Sequence, residues 1–165
     1  MVLTKAELIG SLTHEVNILL HLASKVDGRS IDYRPTPKQR STIEWFRYMT
    51  IMGPALIAAM KAGTFDPAAW TAAEKRSSTL TLDQVKEELA KQRDLIAAEL
   101  GSLSDADFRK DIEMFGQKMT WGTLLINMVV CGYAAYRATI FVYLKACGRE
   151  ELNTMNLWAG MDGPM

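Results

Sequence analysis

Few side chains in this sequence have the type and spacing to do chemistry, and they fall into two sets. His14, Glu15 and His21 stand near the N-terminus, and Arg137 stands inside a long apolar run. At about 100° per residue, Val130, Tyr133, Arg137, Ile140 and Leu144 make one strip of a helix, with Val129, Tyr136 and Tyr143 on the strip beside it. An unpaired guanidinium there would be costly, so it calls for a carboxylate or a bound anion, and helix-face reasoning offers Glu15 and Glu44. Arg137 then has three readings: a buried pair that fixes helix register, an anchor for an anionic ligand, or an exposed arginine.

His14 and His21 share a helix face but sit about 10 Å apart along its axis, whereas a shared zinc would lie about 2 Å from each nitrogen. They read as solvated or interfacial groups, with a pocket rim as the alternative for His21. Cys131 and Cys147 lie about 24 Å apart if they share one helix, too far for a disulfide, and mid-helix Cys131 reads as an inert buried thiol. Nucleotide-binding glycine loops, Cys-x-x-Cys, His-Glu-x-x-His and Gly-x-Ser-x-Gly are all absent.

Four helices position these groups. Leu8, Leu12, Val16, Leu19, Ala23 and Val26, behind a Thr4-x-x-Glu7 capping box, predict the first over residues 5–26. Glu15 projects only about 20° from the edge of its apolar stripe. Thr36-Pro37 predicts the start of the second helix, which Gly53-Pro54 should kink or break before a continuation to residue 62. Residues 63–79 read as a loop with one turn near 67–74. Thr81 and Gln84 then open an amphipathic third helix that ends near Leu100-Gly101. Ser104 to Phe108 reads as one further turn, and residues 109–118 as an irregular connection. The fourth helix, with Thr120 as its N-cap, runs from Trp121 to about residue 146 and reads as a buried central helix. Residues 149–165, including Pro164, form an ordered tail. Together these predict one all-α domain over residues 1–165, an antiparallel four-helix bundle with a long crossover between helices two and three.

Composition sets the limits. With 165 residues, 48% hydrophobic and 23% charged, and 19 basic against 19 acidic groups, the chain reads as a folded soluble domain with no global field for nucleic acid or an anionic membrane. Residues 119–136 carry no charge, yet Thr123, Asn127, Gly132 and Arg137 interrupt the apolar run, which favours a core helix over a membrane span. The early charged residues leave no stretch for a signal peptide, so a cytoplasmic location is expected.

The segments Arg34-Pro35-Thr36-Pro37, Ser41-Thr42-Ile43-Glu44-Trp45-Phe46-Arg47-Tyr48, Met119-Thr120-Trp121-Gly122-Thr123-Leu124-Leu125, Tyr136-Arg137 and Tyr143-Leu144-Lys145-Ala146-Cys147-Gly148 resemble the DinB superfamily over most of the chain. That resemblance implies a four-helix bundle, often dimeric. In many members a metal is held by one histidine of helix two and a His-x-x-x-His pair of helix four, the second followed by arginine. Here Tyr48, Gly132 and Tyr136 occupy those positions, while Arg137 matches the arginine. A neutral tyrosine is a poor ligand for zinc or nickel, and glycine has no side chain to offer.

The sequence therefore leads to a metal-free, cofactor-free DinB-like protein that binds a small ligand or a partner, with Glu15, Glu44, Tyr48, Tyr136 and Arg137 as candidate ligand-binding residues. The alternative is an enzyme, a transferase or hydrolase, acting through Glu15, Tyr48, Tyr136 and Arg137. Val130 and Phe141 point about 120° or more away from Tyr136, so a homodimer is expected to cover them.

Overall fold

The computed structural model describes residues 3–163, which are mostly helical with one two-stranded sheet. The helices are α1 (Lys5–Ala23), α2 (Thr42–Ala62), α3 (Pro67–Ser77), α4 (Leu82–Gly101), α5 (Trp121–Leu125), α6 (Cys131–Ala146) and α7 (Thr154–Trp158), with a hairpin of β1 (Asp111–Met114) and β2 (Gln117–Thr120) before α5. A 3-10 turn, Asp107–Arg109, precedes β1, and a π turn, Ile126–Val130, joins α5 to α6. The long helices share one apolar core: α1 packs on α4 and α6, and α2 packs on the same two.

The capping boxes open α1 and α4 as expected. Thr4 N–H donates to Glu7 Oε2 at 2.7 Å, and Thr81 N–H donates to Gln84 Oε1 at 2.9 Å. The start of α2 differs. Thr36 and Pro37 belong to a turn closed by Gln39 N–H on the Thr36 carbonyl at 3.0 Å, and the helix begins only after Ser41, whose N–H donates to Glu44 Oε2 at 2.7 Å. Returning loop carbonyls fix that start, since Tyr33 and Ile31 accept the N–H groups of Thr42 and Ile43 at 3.0 and 2.9 Å.

Gly53-Pro54 neither ends α2 nor leaves its backbone unpaired. Pro54 has no N–H for the Thr50 carbonyl, and the buried Gln92 of α4 supplies the donor instead: its Nε2 reaches the carbonyls of Thr50 at 2.7 Å and Met49 at 3.0 Å. Gln92 Oε1 in turn accepts from the buried Tyr133 hydroxyl. Glycine is required at 53 because a β-carbon there would stand 2.8 Å from Tyr133 Cζ.

Two segments read as irregular are regular. Asp66 Oδ1 caps Ala68 and Ala69 N–H at 2.9 and 3.1 Å, and with Pro67 in the first turn it nucleates three turns of α3 rather than one. Residues 111–120 form the hairpin around Phe115 and Gly116, both at positive φ as a type I′ turn requires, with Ile112 and Met114 buried and Asp111 and Glu113 exposed.

The fourth predicted helix is a continuous rod, Trp121–Ala146, the one helix among the described residues long and apolar enough to cross a membrane. It is not the fully buried element its composition suggests, since only 28% of its most apolar window is buried. Trp121, Leu125, Val129, Tyr133 and Arg137 lie inward. Four-residue steps over-rotate an α-helix by about 40° each, and the wider π turn takes some of that back, so Val129 joins the inward stripe in place of Val130. Cys131 is exposed, not buried, as is Val142 at 60%. The tail is ordered around α7, and Pro164 lies outside the described residues.

Candidate functional site

The five candidate residues lie in two places. Glu15 and Arg137 meet where α1, α6 and the tail converge. Arg137 Nε lies 3.1 Å from Glu15 Oε2, with the side chains 4% and 12% exposed. The N–H is not aimed at the oxygen, and neither atom has a hydrogen bond, so this is a Coulombic pair rather than an aligned one. Arg137 Nη1 donates to the Leu157 carbonyl at 2.7 Å, and the Trp158 ring lies 5.0 Å from its guanidinium carbon. Burial raises the Glu15 carboxyl above the usual range, and Arg137, then His14, only partly offset it.

The polar face of α1, expected to meet solvent or a partner, is touched by that tail, which leaves His14 exposed and His21 half-buried. His14 Nε2 lies 2.8 Å from the Trp158 carbonyl, Asn156 Nδ2 lies 3.0 Å from His21 Nε2, and Lys25 Nζ lies 2.6 Å from Asp162 Oδ1. Burial, then Lys25, lowers the His21 imidazole, against the pull of Asp162. Glycine at 160, with φ of 64°, brings the chain onto Ile18, where a β-carbon would lie 3.1 Å from Ile18 Cα.

Tyr48 and Tyr136 meet elsewhere, between α2 and α6. Tyr136 stacks on Trp45 with ring centroids 4.6 Å apart, and Tyr48 meets Tyr136 edge-on at 5.4 Å and Trp70 at 5.9 Å. Burial, with the Tyr136 phenol beside it, pushes the Tyr48 hydroxyl up to about 12. Arg40 closes this cluster from outside, 4.5 Å from the Tyr48 ring and 5.3 Å from Trp45.

On the far side of Tyr48 is a pocket of about 340 Å³ formed by the 34–40 loop, the start of α2 and the end of α3. Arg34, Lys38, Arg40 and Arg47 line it together with Glu44 and Glu74, an excess of two positive charges. Glu44 pairs with Arg34 at 3.2 Å rather than with Arg137, and the Ser41 N–H holds its carboxyl below the usual range. Glu74 lies 3.6 Å from Arg40. Arg47 Nε donates to the Leu80 carbonyl at 2.8 Å, and its terminal nitrogens have no protein partner among the described residues. Neither Glu15 nor Arg137 lines this pocket. The sequence reading missed Arg34, Lys38, Arg40 and Arg47, although four cations within residues 34–47 against the single acid Glu44 were a visible signal.

The positions that carry metal ligands in the resemblance do not fit a metal here. Tyr48 and Tyr136 are packed against aromatic rings, and the Met52 sulfur lies 2.9 Å from where a Gly132 β-carbon would be. No group of three or more His, Cys, Asp or Glu side chains able to hold an ion occurs among the described residues.

This arrangement of helices is the DinB-like fold. Among solved structures, the crystal structure of the DinB-like protein YjoA from Bacillus subtilis is similar to this chain with a TM-score of 0.68, over 88% of this chain and 94% of that one, at 20% sequence identity. No protein-family profile matches the sequence, and no curated protein matches it.

Proposed function

We propose that this chain is a DinB-like protein, a single antiparallel four-helix bundle with a long crossover, that binds a small anionic ligand without a metal. The ligand site in this reading is the pocket beside Tyr48, with Glu44 and Tyr48 in its wall and Tyr136 supporting Tyr48 from behind. One observation carries it: Arg34, Lys38, Arg40 and Arg47 surround one concavity, and the Arg47 terminal nitrogens lack a protein acceptor. An enzyme acting through Glu15, Tyr48, Tyr136 and Arg137 would need all four at one space. The Glu15–Arg137 pair instead sits under the tail, where the Leu157 carbonyl and Trp158 ring cover it.

Val142 and Cys131 on the outward face of the rod support a homodimer in which a second copy covers that face. Two free thiols suit a cytoplasmic protein. The ligand reading is tested by titrating isotopically labelled protein with acetate and with inorganic phosphate. Amide shifts around residues 34–48 that saturate, and that weaken severalfold in Arg40→Gln, are expected; no saturable shift there defeats the reading.

A further inference from the structure

We propose that the ligand is amphipathic: a soluble monocarboxylate whose anionic end sits in the cationic pocket and whose hydrocarbon body lies in the apolar groove beside it. The inference rests on the anion-binding reading above and adds the chemistry of the rest of the molecule. The groove holds about 900 Å³ between α2, α3 and α4, within the roughly 300–1,000 Å³ of small-molecule sites. Small side chains hollow it out, with Ala55 and Ala58 one turn apart on α2 facing Ala69 and Ala73 one turn apart on α3. Phe65 and Trp70 supply broad apolar wall.

The two cavities adjoin, because Ile51 and Ser77 line both. A ligand that used only the cationic pocket would leave the groove in water. One that used only the groove would gain nothing from Arg40, Lys38 or the free end of Arg47. A chain ending in a carboxylate satisfies both, since apolar burial rewards the groove and charge-assisted hydrogen bonds reward the arginines. Trp70 ties the halves together, touching Tyr48 of the cationic pocket edge-on while lining the groove.

Decanoate below its micelle concentration is the probe, titrated by amide shifts beside acetate, which has only the head, and decanol, which has only the tail. Decanoate should bind at least tenfold tighter than either, shifting residues of both cavities. Ala58→Trp, a change at an exposed position, should fill the groove and erase the advantage of decanoate while leaving acetate affinity unchanged; Ala69→Trp does the same from α3 if the first variant folds poorly. Arg40→Gln should weaken acetate and decanoate alike. Acetate binding with decanoate no tighter overturns the amphipathic ligand and leaves the anion site standing. Decanoate and decanol binding equally, indifferent to Arg40→Gln, overturns it in favour of a purely apolar groove. Shifts that arise only with micelles or vesicles overturn it in favour of a lipid surface; no saturable binding of acetate or decanoate overturns it too, and defeats the anion site as well if inorganic phosphate also fails to bind.

Discussion

Replacing Arg137 by alanine is the sharpest test of how the tail, α1 and α6 hold together. Both partners of the Arg137–Glu15 pair are nearly buried, and removing one partner of a buried pair costs about 3–5 kcal/mol because the other charge is stranded. The lower end applies, since the Nε–H is not aimed at the carboxylate and Glu15 keeps a small exposed edge. About 3 kcal/mol corresponds to a fall in Tm of roughly 6–12 °C for a domain of this size. The loss should also depend on pH. Burial already raises the Glu15 carboxyl and Arg137 opposes it, so deleting the arginine raises it further. A raised folded-state pKa means stability that is present below the unfolded value and lost as pH rises through the folded value, so Arg137→Ala should be worst near neutrality and recover toward pH 5. Urea unfolding at pH 7.5 and pH 5 reads both effects, and Glu15→Gln in the same chain should restore part of the loss at pH 7.5. An unchanged midpoint, or a deficit that does not shrink on acidification, would refute the buried pair.

Gln92→Leu should cost about 2–4 kcal/mol in urea unfolding by orphaning the Thr50 carbonyl that Pro54 cannot serve and the Tyr133 hydroxyl, and Tyr133→Phe in that background should recover part of it. Tyr48, pushed up to about 12, should lower stability between pH 10 and 12 as its unfolded counterpart ionises, so wild type should lose more than Tyr48→Phe when midpoints at pH 8 and pH 11 are compared. Light scattering at micromolar concentration should give twice the 18.4 kDa chain mass, and Val142→Glu should return it to one. Elemental analysis of purified protein should find far less than one zinc or nickel per chain, because Tyr48, Gly132 and Tyr136 stand where ligands would be needed.

Local chemistry was legible along the chain wherever neighbouring residues settle it. The Thr4–Glu7 and Thr81–Gln84 boxes and the apolar stripes of α1 and α4 act over one or two turns, so the sequence by itself determined those helices and the mostly helical character of the chain, though not the hairpin of β1 and β2 that departs from the expected all-α class. The need of Arg137 for an acid was legible for the same reason, as desolvation is a property of the apolar run it sits in. Elsewhere two local signals competed or a distant group intervened. Thr36-Pro37 and Ser41-x-x-Glu44 are both helix starts, and the carbonyls of Ile31 and Tyr33 decided for the second. Gly53-Pro54 reads as a break until Gln92, far along the chain on α4, donates to Thr50. Which acid meets Arg137, and that the tail reaches His14 and half-buries His21, follow from helix packing that fixes α1 against α6. The cationic pocket is a tertiary object too: the 34–40 loop and the end of α3 face each other only because α2 and α3 pack together, which gathers four cations spread over residues 34–47 around one volume.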